Sequence, residues 1–248
     1  MASGPGIKVL CGSAQRYIDQ LEATIAQGGT GIISIGIAGG LAPGLAPGDW
    51  VVASGVVARG ERYPTDGRWA CRLLRALPGA VFADIAGVDA PAIESDAKRK
   101  IYESSHAVAV DMESHIAARV AAAHGVPFAA CRVIIDPAER TLPPAALVGI
   151  RMDGTTDPLA VLRSVMRQPS QVPLLLRVIA DAMAAHTALL RGRKRLGADL
   201  SFPGLEDIPV RLSPDLDDEA AVSPAAPRTA PQLADLERPV APAIGASR

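Results

Sequence analysis

Two acids, Glu113 and Asp136, stand where segments of contrasting character meet, in Val110-Asp111-Met112-Glu113-Ser114 and Arg132-Val133-Ile134-Ile135-Asp136. Carboxylates at matching ends of neighbouring elements can divide a cleavage reaction between them, one holding the hydroxyls of a sugar and the other giving a proton to the departing group. The first segment closes an apolar run, Ala107 to Val110. It then opens a helical pattern in which Met112, Ile116, Val120 and Ala123 recur at i, i+4, i+8 and i+11, predicting Glu113 in a helix's first turn. His124-Gly125 stops that helix, and Val126 to Ile135 is a nearly continuous apolar run, the pattern of a strand buried on both faces. Asp136 falls at the strand's end, because Pro137 restricts the residue before it and cannot donate to a sheet ladder. Each acid alone also has a local explanation: the helix dipole favours a first-turn carboxylate, and Asp before Pro forms turns.

The elements that must position these acids alternate. Ile7 to Cys11 is a short apolar run, followed by a helical pattern at Tyr17, Leu21 and Ile25 that ends at Gly28-Gly29. Ile32 to Ile37, Trp50 to Val57, Val81 to Ile85 and Ala107 to Val110 read as strands, interleaved with helices near Trp69 to Leu77 and Ile93 to Ser104. Such alternation implies an α/β fold with a mainly parallel sheet covered by helices. Leu159 to Met166 and Leu174 to Leu190 read as C-terminal helices. One domain over residues 1–197 is expected, followed by a tail over 198–248. From residue 213 the tail is dominated by Pro, Ala, Asp and Glu, the composition of a disordered segment.

Between the first two strands, Gly36-Ile37-Ala38-Gly39-Gly40-Leu41 places small residues at a strand end, where backbone N–H groups can approach a ligand or simply turn. It matches neither a Walker loop nor a dinucleotide fingerprint. Arg59, Glu61 and Arg62, just past the strand ending at Val57, read as a solvated loop or as a cationic clamp for phosphate.

Composition narrows the classes. A chain of 248 residues with 49% hydrophobic content and a net charge of -1 can bury one good core and carries no electrostatic footprint of a nucleic-acid partner. Cys11, Cys71 and Cys131 lack zinc-ligand or disulfide-framework spacing, so reduced cysteines and no metal are expected. His106, His115, His124 and His186 show no partner spacing and read as surface or helix-end residues. No signal-like start or uncharged run of ~18 apolar residues is present, which makes the cytoplasm the default compartment.

Taken in order, Ile35 to Leu41, Pro47-Gly48-Asp49-Trp50-Val51-Val52, Val110 to Ser114, and Val126-Pro127-Phe128 leading to Arg132 to Asp136 resemble the motifs of the nucleoside phosphorylase and methylthioadenosine/S-adenosylhomocysteine nucleosidase superfamily. Pro143 to Gly149 with Asp153-Gly154-Thr155-Thr156-Asp157 is similar to its hopanoid-associated branch, which is associated with removing adenine from adenosylhopane. The resemblance implies a three-layer fold with a mixed central sheet. It also implies that Asp136 protonates the purine, that Glu113 holds the ribose hydroxyls with Met112 against the sugar, and that Ala38, Gly39 and Gly40 form the base or phosphate loop. It further implies a lipid-linked nucleoside substrate, a homo-oligomer and no cofactor, with phosphate as the one candidate co-substrate and Arg59 and Arg62 as its candidate contacts. For a lipid-linked substrate, Arg191-Gly192-Arg193-Lys194-Arg195 at a helix end suits both the helix dipole and peripheral contact with anionic headgroups at the inner membrane face.

Two departures from the family pattern stand out. The family opens with a strand and a Gly-rich turn carrying an acid, whereas this sequence starts Met1-Ala2-Ser3-Gly4-Pro5-Gly6 and proceeds to the counterpart of the second strand, so one central strand is expected to be missing, through a start placed too late or through a real loss that impairs activity. Asp89-Ala90-Pro91 stands where nucleosidases often carry an aromatic that stacks on adenine.

Overall fold

The computed structural model describes residues 6–142 and 166–203. The narrower motifs at 143–149 and 153–157, nearly all of the helix expected over Leu159 to Met166, and the tail from 213 lie outside them. Residues 7–11 form no strand; they are extended chain that leads into helix α1, Ala14–Ala26. Then follow β1 (Ile32–Gly40), β2 (Trp50–Ala58), β3 (Glu61–Pro64), α2 (Gly67–Ala76), β4 (Val81–Gly87), α3 (Ser95–Ser105), β5 (Ala109–Asp111), α4 (Ser114–His124) and β6 (Phe128–Asp136). A short 3-10 turn, Pro169–Gln171, leads into the long helix α5, Val172–Arg195.

Local chemistry accounts for several boundaries. The Asp66 carboxylate accepts the Trp69 N–H at 2.9 Å and caps α2, satisfying a donor that the helix itself cannot. Gly125, at φ 63°, ends α4 in the left-handed region that glycine adopts without strain. Arg62, expected in a loop, is instead in β3, which pairs antiparallel with the far half of β2 from Gly55 to Ala58. The charged Glu61-Arg62 pair and Pro64 conceal this strand from pattern reading, because its outer edge has no ladder to satisfy.

The expected α/β fold with a mixed sheet forms, in the order β3-β2-β4-β5-β1-β6. A further antiparallel pairing of Trp50–Val52 with β6 joins its two sides, so β2, β4, β5, β1 and β6 close into a ring. Three pairings are parallel (β1 with β6, β2 with β4, β4 with β5) and three antiparallel (β1 with β5, β2 with β3, β2 with β6). Strand direction depends on how each connection returns, which hydrophobic patterning does not encode. Consequently β5 and β6 are not neighbours: β1 lies between them and runs opposite to β5.

Strand alternation distributes the core over both faces. Val51, Ala53, Ala130 and Ile134 pack with Leu21 of α1 and Ala117, Val120 and Ala121 of α4. The alternate residues Val52, Ala129 and Cys131 pack with Trp69 and Leu73 of α2 and with Leu196 and Leu200 beyond α5. There the Trp69 indole N–H donates to Leu200 O at 3.0 Å, and its ring meets Phe202 edge-on at 4.7 Å. Helix α5 reaches the sheet through Gly192, where a Cβ would stand 2.2 Å from the Trp50 ring. Among the described helices α5 is the one long and apolar enough to cross a membrane, with a mean hydropathy of 1.4 over its most apolar stretch. Its outward face nevertheless carries Leu176, Ile179, Met183 and Leu190 into solvent. Gly192→Val is expected to destabilise the protein by about 1–3 kcal/mol through overpacking against Trp50, a loss measurable by denaturant titration.

Candidate active site

Strand β1 organises the site. At its end Gly39 pairs with Val110 of β5 on one side and Asp136 of β6 on the other. Register shifts at Ala38/Gly39, from Ala38 opposite Ile134 to Gly39 opposite Asp136, so Ile135 is an extra residue in the ladder. This irregularity brings the Asp136 carboxyl level with Gly39: a Cβ there would lie 3.5 and 3.6 Å from its two oxygens. Gly40 permits a similar approach of backbone, since its Cβ would lie 3.2 Å from Asp136 O. Ala38 is buried beside them. Ala38, Gly39 and Gly40, expected as a loop past a strand ending at Ile37, are instead the last three residues of β1, held in its ladders beside the predicted acid.

Asp136 is only 8% exposed. Burial pushes its carboxyl toward the neutral form, opposed by the Lys98 ammonium and, more weakly, by Arg140. Lys98, on α3, was not anticipated. It is fully buried, donates to Asp136 Oδ2, and donates also to Pro137 O at 2.8 Å and Arg140 O at 3.1 Å.

On the other side of β1, the turn after β5 carries Glu113. It is the residue preceding α4 rather than a member of its first turn, with φ −120° and no side-chain capping bond. Asp111 does the capping: its Oδ2 accepts the Ser114 N–H at 2.9 Å and the Ser114 hydroxyl at 2.8 Å, so the helix begins at Ser114. The Glu113 side chain is thereby released. It keeps an exposed side, yet partial burial raises its pKa, Asp111's charge raises it further, and Arg132 opposes both. Met112 is also exposed, at 39%.

Beneath Glu113 lies a buried ion pair. Arg132 Nε donates to Asp111 Oδ2 at 2.8 Å, Nη2 donates to the same oxygen and to Ser34 Oγ at 2.6 Å, and Nη1 donates to Cys131 O at 3.2 Å. Tyr17 of α1 shares this environment. Burial raises its hydroxyl pKa, while Arg132 and a hydrogen bond with Ser34 oppose the shift and Glu113 and Asp111 add to it. Sequence periodicity marked Tyr17 only as a core position of its helix.

The predicted cations are each held by an acid. Arg59 pairs with Asp89 at 2.7 Å, both largely exposed. Arg62 grips Asp84 through Nε at 2.7 Å and Nη2 at 2.8 Å, and the Ser54 hydroxyl donates to the same carboxylate. A cavity of about 230 Å³ beside β3 is lined by Ala58, Arg59, Glu61, Tyr63, His115 and Arg119. His115, expected at the surface or a helix end, is the second residue of α4 and is buried against Gly87 with Nε2 3.2 Å from Asp89 Oδ1. Among the described residues no cluster of His, Cys, Asp and Glu suited to a metal occurs.

The profile of the phosphorylase superfamily matches residues 6–167, and the chain belongs to that superfamily. No curated protein matches it. Solved structures of like fold include the S-adenosylhomocysteine nucleosidase of Streptococcus pyogenes in complex with 5-methylthiotubericidin, at 19% identity and TM-score 0.50, covering 72% of this chain and 74% of that one. The 5'-methylthioadenosine/S-adenosylhomocysteine nucleosidase of Helicobacter pylori, with butyl-thio-DADMe-Immucillin-A, shares 18% identity at TM-score 0.52 over 74% of this chain and 75% of its own. That of S. pneumoniae, with the transition-state inhibitor MT-ImmA, shares 16% at 0.50 over 74% and 76%.

The ion pair beneath the site generates a stability prediction. Arg132→Met leaves Asp111 buried without its counter-charge and is expected to cost about 3–5 kcal/mol. Adding Asp111→Leu should recover part of that loss in denaturant titrations.

Proposed function

We propose that this protein cleaves the N-ribosidic bond of a purine nucleoside, with Asp136 as the acid for the base and Glu113 as the anchor for the ribose hydroxyls. The observation that carries this reading is the Asp136 carboxyl, buried, pushed toward its neutral form and set beside Gly39 at the end of β6. Breaking such a bond builds positive charge on the sugar and negative charge on the base, so a poised proton donor acts where charge develops. Glu113, free of capping duty and open to solvent, can accept from two sugar hydroxyls, with Met112 next to it against the ring. Ala38, Gly39 and Gly40 form the wall between them. Since Arg59 and Arg62 are held by Asp89 and Asp84, water is the nucleophile this arrangement favours over phosphate.

The substrate we propose is a lipid-linked adenine nucleoside, adenosylhopane by resemblance. The soluble alternative is methylthioadenosine, and a homo-oligomer is the proposed working form. The exposed side of α5 supports a lipid partner. Val172, Leu176, Ile179, Met183 and Leu190 fall at i, i+4, i+7, i+11 and i+18 along one stripe, accompanied by Arg177, Arg191, Lys194 and Arg195. An apolar stripe flanked by cations is the pattern of a helix lying in an anionic interface, at roughly 1 kcal/mol per charge. Such contact would place the protein at the inner face of the membrane.

Adenine release from adenosylhopane and from 5'-methylthioadenosine, each with and without phosphate, tests the chemistry. Equal rates and a free ribosyl product are expected, and a rate that depends on phosphate rejects hydrolysis. Asp136→Asn should lower turnover by ~10²- to 10⁴-fold, and Glu113→Gln should raise KM by roughly tenfold or more. Binding of nucleoside without base release by the unmodified protein would instead identify a non-catalytic module. Sedimentation with anionic vesicles at low salt should carry the protein down, and Leu176→Asp with Met183→Asp should abolish this. Failure of the unmodified chain to sediment removes the membrane contact.

A further inference from the structure

Among the described residues, Lys98 is a fully buried cation to which the proposed reaction assigns no role. Its helix reads as a solvated charged stretch, Asp96-Ala97-Lys98-Arg99-Lys100, and Arg99 and Lys100 are indeed exposed. Lys98 is 0% exposed. An ammonium has three N–H donors, and here three acceptors meet it: Asp136 Oδ2, Pro137 O and Arg140 O. Two of these belong to the turn after β6, in which the Arg140 N–H donates to Pro137 O at 3.1 Å. The third is the acid itself. Burying a charged pair is seldom the most stable solution, since apolar residues of similar volume often do as well.

Resting on the assignment of Asp136 as the acid, we propose that Lys98 is a positioning residue for it: the ammonium fixes Oδ2 and the following turn, leaves Oδ1 to face the base, and stabilises the carboxylate that remains after proton transfer. In the step, the C–N bond breaks with its electron pair going to the base, and Asp136 delivers a proton there. The resulting carboxylate is left against Lys98. Water adds to the sugar carbon and sheds a proton to solvent, and solvent returns one to Asp136, so one water is consumed and no charge accumulates. Burial and Lys98 pull Asp136 in opposite directions, the first toward the neutral donor and the second toward the charged product. Among the described residues, Arg140 is the other charged group that acts on Asp136, and it is itself paired with Asp181 of α5.

The test uses the full chain with 5'-methylthioadenosine as probe, comparing Lys98→Met, Lys98→Gln and Asp136→Asn. Removing the cation leaves Asp136 a weaker acid that stays protonated to higher pH. The alkaline limb of kcat/KM should therefore move up in pH while the plateau falls roughly tenfold, part of the ~10²- to 10⁴-fold that a positioned acid supplies. A purely structural lysine would lower the amplitude and leave the limb in place, which would overturn the proposal. Full turnover in Asp136→Asn would instead reject the acid assignment. A denaturant cycle over Lys98→Met, Asp136→Asn and the double variant needs no substrate. Strong coupling between the two positions supports the pairing, and additive losses overturn it. If Lys98→Met does not fold, recovery in the double variant supports the proposal and equal failure overturns it.

Discussion

The Asp111–Arg132 pair is the interaction on which the site depends. Arg132 projects from β6, reaches across β1 to Ser34, and closes on Asp111 at the end of β5, so three strands that meet at Gly39 are joined by one guanidinium. The same Asp111 oxygen takes the first helical N–H of α4 and the Ser114 hydroxyl. A single buried carboxylate therefore sets both where the helix starts and how the strands register. Because helix capping is done from below, Glu113 is not needed for it and projects toward solvent. Local stability and ligand recognition, which compete for an acid at a helix start, are divided here between two acids two residues apart.

The two functional carboxyls are tuned by different neighbours. Asp136 is enclosed, and a cation offsets the cost of enclosure. Glu113 is more open, and the charge nearest it is the like charge of Asp111, itself neutralised by Arg132. Both have raised pKa values, so each ionises in the folded protein at some cost, as expected where groups are arranged for chemistry rather than stability. The chain that pairs Lys98 with Asp136 also ties α3 to the end of β6, which makes the turn at residues 137–140 part of the site's frame.

Much of the fold was legible because its signals are local. Pro137 marked the end of β6, Gly125 the end of α4, and the apolar run before Asp136 its buried strand. Small residues at 36–40 suggest a ligand loop or a turn, and they are strand residues whose size leaves room for the Asp136 carboxyl beside Gly39. Other features depend on contacts that the linear order does not carry. Lys98 sits in a charged stretch and becomes buried only because α3 passes beneath a strand end 38 residues later. Strand direction is not written in hydrophobic patterning, so the sequence suggests β5 and β6 as neighbours although β1 separates them. Asp111 lay inside the quoted motif, overshadowed by Glu113, and its partner Arg132 was read as one more residue of an apolar strand. His115 stands at a helix end, one of its two expected places, and is buried because Gly87 leaves room for its ring.

Closing the strands into a ring has a consequence for solubility. The flank of β6 beyond its pairing with Trp50–Val52 is taken up by the Asp66 N–H on Phe128 O at 2.7 Å and by exchange of Ile134 with Gly48 and Asp49. Among the described strands, β3 pairs along one side only, and it is four residues long, with two charges and a terminal proline. Short, charged and proline-ended edges resist addition of a strand from another molecule. Glu61, Arg62 and Pro64 thus blunt this edge of a sheet rich in valine, isoleucine and alanine.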